Sequence, residues 1–187
     1  MSADDVAILR LDGGRIAPAL SARIDAIFFE ASGRSFASAK ERATFRERWL
    51  GRYLQGGTDV VLLAQHRSGA VAGYLVGALD DPAGQQRFAD IGYFRAAFRA
   101  QCRSHPAHLH INLAPAFRNG GIGARLIAAF AACAAHAGAP GMHVVTSKGA
   151  RNVRFYTRCG FREIGSTAWN GRELVFLGKL LEQPGSN

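Results

Sequence analysis

Apolar and polar residues follow two rhythms along this chain, and each rhythm predicts one kind of element. Alternating or short continuous apolar runs predict strands, and these lie at residues 6–11, 58–65, 70–79, 108–113, 142–146, 161–168 and 172–180. Apolar residues at helical spacing predict helices at residues 15–31, 36–54, 125–136 and 150–159, whereas residues 86–103 fit either a helix or an irregular lid. The order β-α-α-β-β-(α)-β-α-β-α-β-β predicts an α/β fold in one domain over residues 1–187. A mixed sheet of about seven strands is expected, with helices on both faces.

One segment at a strand-to-helix junction carries candidate chemistry. The strand at 108–113 is followed by Arg118-Asn-Gly-Gly-Ile-Gly-Ala124 and then by a helix rich in alanine. The first N–H groups of a helix have no partner within the helix, and together with the helix dipole they favour an anion. Gly121 and Gly123 lack a Cβ, so a ligand can approach the main chain closely. The segment therefore predicts a site for a ligand that carries phosphate.

Two common phosphate-binding motifs do not fit this segment. A dinucleotide fingerprint requires a third glycine where Leu126 stands, and an acidic residue where His143 lies. A P-loop requires Gly-Lys followed by Ser or Thr, and the chain contains no such sequence.

The pattern Arg118-x-x-Gly121-x-Gly123, directly after a strand, resembles the cofactor-binding motif of the GNAT superfamily of acetyl-CoA-dependent N-acetyltransferases. A second match is Phe155-Tyr156-x-x-x-Gly160-Phe161, which is similar to a signature of that superfamily. The predicted element order resembles the superfamily fold over roughly residues 5–180. Residues 108–118 look most like the acetyltransferase-like domains associated with O-GlcNAcases and their free-standing bacterial relatives.

The resemblance implies a role for several residues. The main chain of Leu113 would hydrogen-bond the pantetheine arm of acetyl-CoA, and Arg118 would brace the turn or contact a phosphate. Tyr156 would be the general acid that protonates the departing CoA thiolate, since a tyrosine with a pKa of about 10 stays protonated at neutral pH. The N–H groups that would cradle the pyrophosphate belong to Asn119, Gly120, Gly121, Ile122, Gly123 and Ala124.

The chain departs from the superfamily pattern at one position. Relatives often carry an Asn seven residues before the tyrosine, where this chain has Gly149. Asn152 lies one helical turn before Tyr156 and on the same face. Two alternatives stay open: Asn152 contacts the cofactor in place of the missing Asn, or it only begins the helix.

The base that accepts the amine proton is not fixed by a motif. His108, His110 and Asn112 share one face of their strand by alternation, and His110 is our first candidate because histidine titrates near neutrality. A partly buried, hydrogen-bonded histidine without a catalytic role is an equal alternative. Asp90 and Glu163 are weaker candidates. His108-x-His110 offers two metal ligands without an evident third, so no metal is expected.

Charge and composition add little to this hypothesis. The net charge of +9 suits a ligand with several phosphates, but the basic residues form no block of the kind that nucleic-acid-binding tails show. No long apolar run and no signal-peptide pattern appears, so we expect a cytoplasmic protein that does not bind a membrane. The expected partners are acetyl-CoA and an amine acceptor, and a homodimer is left open.

The sequence thus predicts an N-acetyltransferase that moves an acetyl group from acetyl-CoA to a primary amine by direct attack, with an acceptor that the residues do not identify. The alternative is a module that binds acetyl-CoA without catalysis.

Overall fold

The computed structural model describes residues 5–12, 15–55 and 59–182 of the chain. The strands are β1 (Val6–Leu11), β2 (Asp59–His66), β3 (Val71–Ala78), β4 (Ala107–Leu113), β5 (Gly141–Ser147), β6 (Arg162–Trp169) and β7 (Arg172–Leu180). The helices are α1 (Pro18–Ser32), α2 (Ala39–Trp49), α3 (Tyr93–Ala96), α4 (Arg99–Ser104), α5 (Ile122–His136) and α6 (Arg151–Arg158). Single 3-10 turns lie at Gly51–Tyr53, Gln86–Phe88 and Pro115–Phe117.

The strands of the described residues form one mixed sheet in the order β1-β2-β3-β4-β5-β7-β6. The pair β4 and β5 is parallel, and it is joined through α5 as a β-α-β crossover, whereas β1–β2, β2–β3, β5–β7 and β6–β7 are antiparallel. The predicted fold class, a mixed seven-stranded sheet with helices, is confirmed.

The chain divides into two compact units, and β4 and α5 contribute residues to both. Unit 1 comprises residues 1–78 and 110–130. Within it, α1 packs against β3, and the Arg46 Nε of α2 donates to the Asp25 Oδ1 of α1 at 2.8 Å. Ser38 caps α2, since its hydroxyl accepts from the N–H of Glu41 at 3.1 Å.

Unit 2 comprises residues 79–109 and 131–187. Its core contains a stack of rings in which His143 lies between Phe176, with centroids 4.3 Å apart, and His108, with centroids 5.5 Å apart. The β6–β7 hairpin turns at Asn170 and Gly171, both with positive φ, as the Asn-Gly pair predicts.

Two predicted segments differ from the structure. The helix expected over residues 36–54 ends at Trp49, because Leu50 leaves the helical conformation and the chain continues as a 3-10 turn that fully buries Tyr53. Residues 86–103 are neither one helix nor an irregular lid, but the short helices α3 and α4 after a 3-10 turn, with Phe94 and Phe98 buried. None of the helices in the described ranges has the length and apolar character needed to cross a bilayer.

Candidate active site

The glycine-rich turn of unit 1 presents main-chain N–H groups at the start of α5. The first hydrogen bond of the helix runs from the Arg125 N–H to the Gly121 carbonyl at 3.1 Å. The N–H groups of Ile122, Gly123 and Ala124 therefore precede the first helical donor, Arg125, so that the helix itself does not pair them. Three such donors at the positive end of a helix dipole favour an anion.

The conformation of the turn explains Gly121 and Asn119. Gly121 has a φ of 81° and Asn119 a φ of 65°, both in the left-handed region that glycine and asparagine tolerate best. A Cβ added at Gly120 or Gly121 would meet no atom within 4 Å, so the turn borders open space rather than packed protein. The sequence-based prediction of a turn that a ligand can approach fits this geometry.

Arg118 folds back onto the end of β4. Its Nε donates to the carbonyl oxygen of Leu113 at 3.1 Å, and its side chain is exposed. The same stretch of β4 lies close to β3, because a Cβ at Gly73 would come within 2.6 Å of the Asn112 carbonyl oxygen. The Arg118 side chain thus links the start of the turn to the end of the strand.

His110 points into a group of aromatic side chains within unit 1. Its Nε2 lies 3.2 Å from the Tyr53 hydroxyl, and its ring meets Tyr53 and Trp49 edge to face, with centroids 5.3 and 5.4 Å apart. Desolvation, together with the positive charge of Arg52, lowers the pKa of His110 to about 4. The imidazole is therefore neutral at pH 7, half-buried and hydrogen-bonded.

Asn112, two residues further along β4, makes a similar contact. Its Nδ2 donates to the Tyr74 hydroxyl oxygen at 2.8 Å, and Tyr74 is 1% exposed. Neither Tyr53 nor Tyr74 was among the residues singled out from the sequence. They come from positions 57 and 38 residues away from their partners, and no motif or spacing marks them.

Tyr156 belongs to unit 2 and is the buried residue of α6, at 6% exposure. Its ring packs edge to face on Phe161, with centroids 5.4 Å apart. Burial raises the pKa of Tyr156 above its ordinary value of 10.0, so the hydroxyl keeps its proton across the neutral range. The helix ends at Arg158, and Gly160 follows with a φ of 88°, which confirms the predicted glycine stop.

Gly149, where relatives often carry Asn, lies just before α6, and Asn152 lies in the first turn of that helix. Gly149 has a φ of 74°, a conformation that glycine adopts readily. Asn152 is exposed at the start of α6, and its Oδ1 accepts from the Thr146 hydroxyl at 3.0 Å. That bond ties Asn152 to β5, and the amide Nδ2 is a donor that a ligand can use.

The remaining candidates lie in less suitable places. Asp90 and Glu163 are exposed, and His108 is 3% exposed within the ring stack of unit 2, edge to face with Phe88 at 4.7 Å. Within the ranges that the structure describes, no three His, Cys, Asp or Glu residues are grouped as metal ligands would be.

Comparison with known proteins gives a family match and similar folds. The family model described as an acetyltransferase (GNAT) domain matches residues 58–163, which is more than half of the chain. A GCN5-related N-acetyltransferase from Kribbella flavida is 16% identical, with a TM-score of 0.66 over 96% of this chain and 100% of that one. The yncA protein of Salmonella typhimurium, solved with its cofactor acetyl-CoA, is 18% identical, with a TM-score of 0.60 over 97% of each chain. The ribosomal-protein-alanine N-acetyltransferase of Brucella melitensis is 21% identical, with a TM-score of 0.62 over 92% of this chain and 99% of that one.

Proposed function

We propose, since the chain belongs to the GNAT acetyltransferase family, that it moves an acetyl group from acetyl-CoA to a primary amine by direct attack. The proposed acid is Tyr156 and the proposed base is His110. The observation that carries the proposal is the turn at 118–124, whose main-chain donors at the start of α5 favour an anionic group such as a pyrophosphate. The closer likeness to the domains associated with O-GlcNAcases, the single-domain organisation and the cytoplasmic location stay predictions.

The donor site is assigned to the end of β4 and the start of α5. The N–H groups of residues 119–124 would hold the pyrophosphate, and the main chain of Leu113 would bind the pantetheine arm. Asn152 would supply a further amide contact. Support comes from the three N–H groups that precede the first helical donor and from the open space beside Gly120 and Gly121. A structurally similar protein was solved with acetyl-CoA as its cofactor.

Tyr156 suits the role of general acid. When bound, acetyl-CoA supplies an acetyl thioester, so transfer forms a C–N bond, breaks a C–S bond and leaves a thiolate that needs a proton. Tyr156 is protonated at neutral pH, as a tyrosine with its ordinary pKa of 10.0 would be, and burial raises that pKa further. It would give the hydroxyl proton to the sulfur as the C–S bond breaks, and regain one from solvent afterwards.

His110 can act as a base because its imidazole is neutral, but its low pKa makes it a weak one. It is neutral at pH 7, so it can accept the proton that the amine nitrogen loses when the C–N bond forms. Its pKa of about 4 favours acceptance only once the nitrogen has become acidic through bond formation. The amine would therefore have to enter uncharged.

The second candidate function is an acetyl-CoA-binding module without catalysis. The low pKa of His110 is the observation that favours it, because a stronger base would deprotonate an ammonium group more readily. Calorimetric titration with acetyl-CoA tests both functions, and no binding would refute both. Release of free thiol in the presence of a panel of primary amines then separates the enzyme from the module.

The role of Tyr156 is tested by Tyr156→Phe, which removes the hydroxyl and keeps the ring. We expect kcat to fall by about 100-fold, the lower end of what a general acid contributes, with the Kd for acetyl-CoA within about twofold of wild type. Tyr93→Phe is the matched control, because it removes the hydroxyl of a half-buried tyrosine outside α6. An unchanged kcat in Tyr156→Phe would exclude the acid role and leave the donor site intact.

A further inference from the structure

His110 and Asn112 form a repeated arrangement on β4. They lie two residues apart and so on the same face of the strand, and each is hydrogen-bonded to the hydroxyl of a buried tyrosine. Tyr53 is 0% exposed and Tyr74 is 1% exposed, whereas His110 and Asn112 are only half-buried. Each tyrosine thus holds its partner from the protein side, and each partner keeps some of its surface for a ligand.

The amide of Asn112 has a defined orientation. An asparagine side chain offers N–H donors on one side and a carbonyl acceptor on the other. Nδ2 is bound to the Tyr74 hydroxyl oxygen at 2.8 Å, and within the described residues this is the hydrogen bond of that side chain. Oδ1 is then the acceptor that Asn112 offers to a ligand.

The contact between His110 and Tyr53 admits either tautomer of the imidazole, because the donor and acceptor roles depend on which ring nitrogen carries the hydrogen. Nε2 lies 3.2 Å from the Tyr53 hydroxyl, and in the tautomer with hydrogen on Nε2 the tyrosine oxygen accepts, as the Tyr74 oxygen does. Nδ1 then carries the lone pair. The Cα atoms of residues two apart on a strand are about 6.6 Å apart. At this spacing the nitrogen of one bound amine can donate to both Asn112 Oδ1 and His110 Nδ1.

We propose that His110 and Asn112, held by Tyr53 and Tyr74, form the subsite that binds the acceptor as an uncharged primary amine. Asn112 is the amine-binding residue, and the two tyrosines are positioning residues. The two acceptors, Asn112 Oδ1 and His110 Nδ1, match the two N–H bonds of such an amine. The subsite rests on the proposed function, since Asn112 directly precedes Leu113, the proposed contact of the pantetheine arm.

Binding is measured without turnover, so that its outcome is independent of catalysis. Butylamine is titrated at alkaline pH into the 15N-labelled full chain in the presence of CoA, and NMR follows the Asn112 side-chain amide and the ring nitrogens of His110. Both sets of resonances are expected to move on addition of butylamine. The ring nitrogen resonances of His110 are expected to show the hydrogen on Nε2. Butyltrimethylammonium, which has the same chain but no N–H, should move neither.

Three variants separate recognition from structure. Asn112→Leu should weaken butylamine binding about tenfold, the loss of one hydrogen bond in a partly desolvated site, whereas Asn112→Asp keeps an acceptor oxygen and should restore it to within about threefold. Tyr74→Phe keeps the buried ring, releases the amide and should weaken binding about threefold. The Kd for acetyl-CoA should stay unchanged in all three.

The proposal is overturned if butylamine leaves Asn112 and His110 unmoved, if Asn112→Leu binds butylamine like wild type, or if butyltrimethylammonium binds equally well. These outcomes differ from failure of the proposed function, which would appear as absent acetyl-CoA binding or absent thiol release while the amine titration still succeeds.

Discussion

The turn at 118–124 and the His110–Asn112 face of β4 both belong to unit 1 but are built in opposite ways. The turn consists of consecutive residues, offers main-chain donors, and is largely exposed. The β4 face offers side-chain acceptors, and its geometry depends on tyrosines 57 and 38 residues away along the chain. The first site is determined by backbone conformation, the second by tertiary packing.

This difference determines which substitutions matter at each site. Main-chain donors survive most side-chain changes, so the turn should be sensitive only where the backbone conformation excludes other residues. Ligand binding at the β4 face should be sensitive to any change that alters the burial of His110 and Asn112 or removes their hydroxyl partners.

The largest expected effect is on the pH dependence of stability through His110. Its folded pKa of about 4 lies below the unfolded value near 6.5, so the unfolded chain binds the proton more tightly. The contribution of neutral His110 to the free energy of unfolding is fully present above the unfolded pKa. It is lost as the pH falls from about 6.5 towards 4. The loss amounts to about 3 kcal/mol, since one pKa unit is about 1.4 kcal/mol.

Urea unfolding of wild type and His110→Gln between pH 7 and pH 4 measures this contribution. The variant should show a smaller decrease in the free energy of unfolding, although some decrease should remain because burial also lowers the pKa of His105. His136→Gln, at an exposed position at the end of α5, is the control and should match wild type. Equal pH slopes for wild type and His110→Gln would mean that His110 is not desolvated in solution.

A smaller effect is expected from a single methyl group in the turn. Gly120→Ala and Gly121→Ala both add a Cβ where no atom lies within 4 Å, but only Gly121 has a positive φ, of 81°. The left-handed conformation costs a residue with a Cβ about 1–2 kcal/mol. We expect Gly121→Ala to weaken acetyl-CoA binding about tenfold by calorimetry and Gly120→Ala to change it less than twofold. Equal losses of affinity in the two variants would indicate that the added methyl group acts by contact with the ligand and not through backbone conformation.

The same contrast explains what the sequence could predict. The turn and the Gly160 helix stop were predictable, because a positive φ leaves a local mark in the choice of glycine. The element order was predictable because hydrophobic periodicity is also local. The hydroxyl partners Tyr53 and Tyr74 were not, since a buried tyrosine looks the same in a sequence whether or not it meets a polar group. The end of α2 at Trp49 was missed for a related reason, because tertiary burial of Tyr53 overrides helical spacing there.

The smallest expected effect concerns Arg118, where the two regions meet. Its Nε donates to the Leu113 carbonyl at 3.1 Å from an exposed position, and one such bond contributes about 0.5–1.5 kcal/mol. Arg118→Ala should therefore weaken acetyl-CoA binding about threefold. If Arg118 acts by bracing the turn, the loss should persist at high salt, since a hydrogen bond to a neutral carbonyl is little screened, and Arg118→Lys should not restore affinity because it lacks the planar fork. A loss that disappears at high salt and that Lys restores would instead indicate a phosphate contact. The turn would then depend on a side-chain charge as well as on its backbone, and the contrast with the β4 face would be weaker.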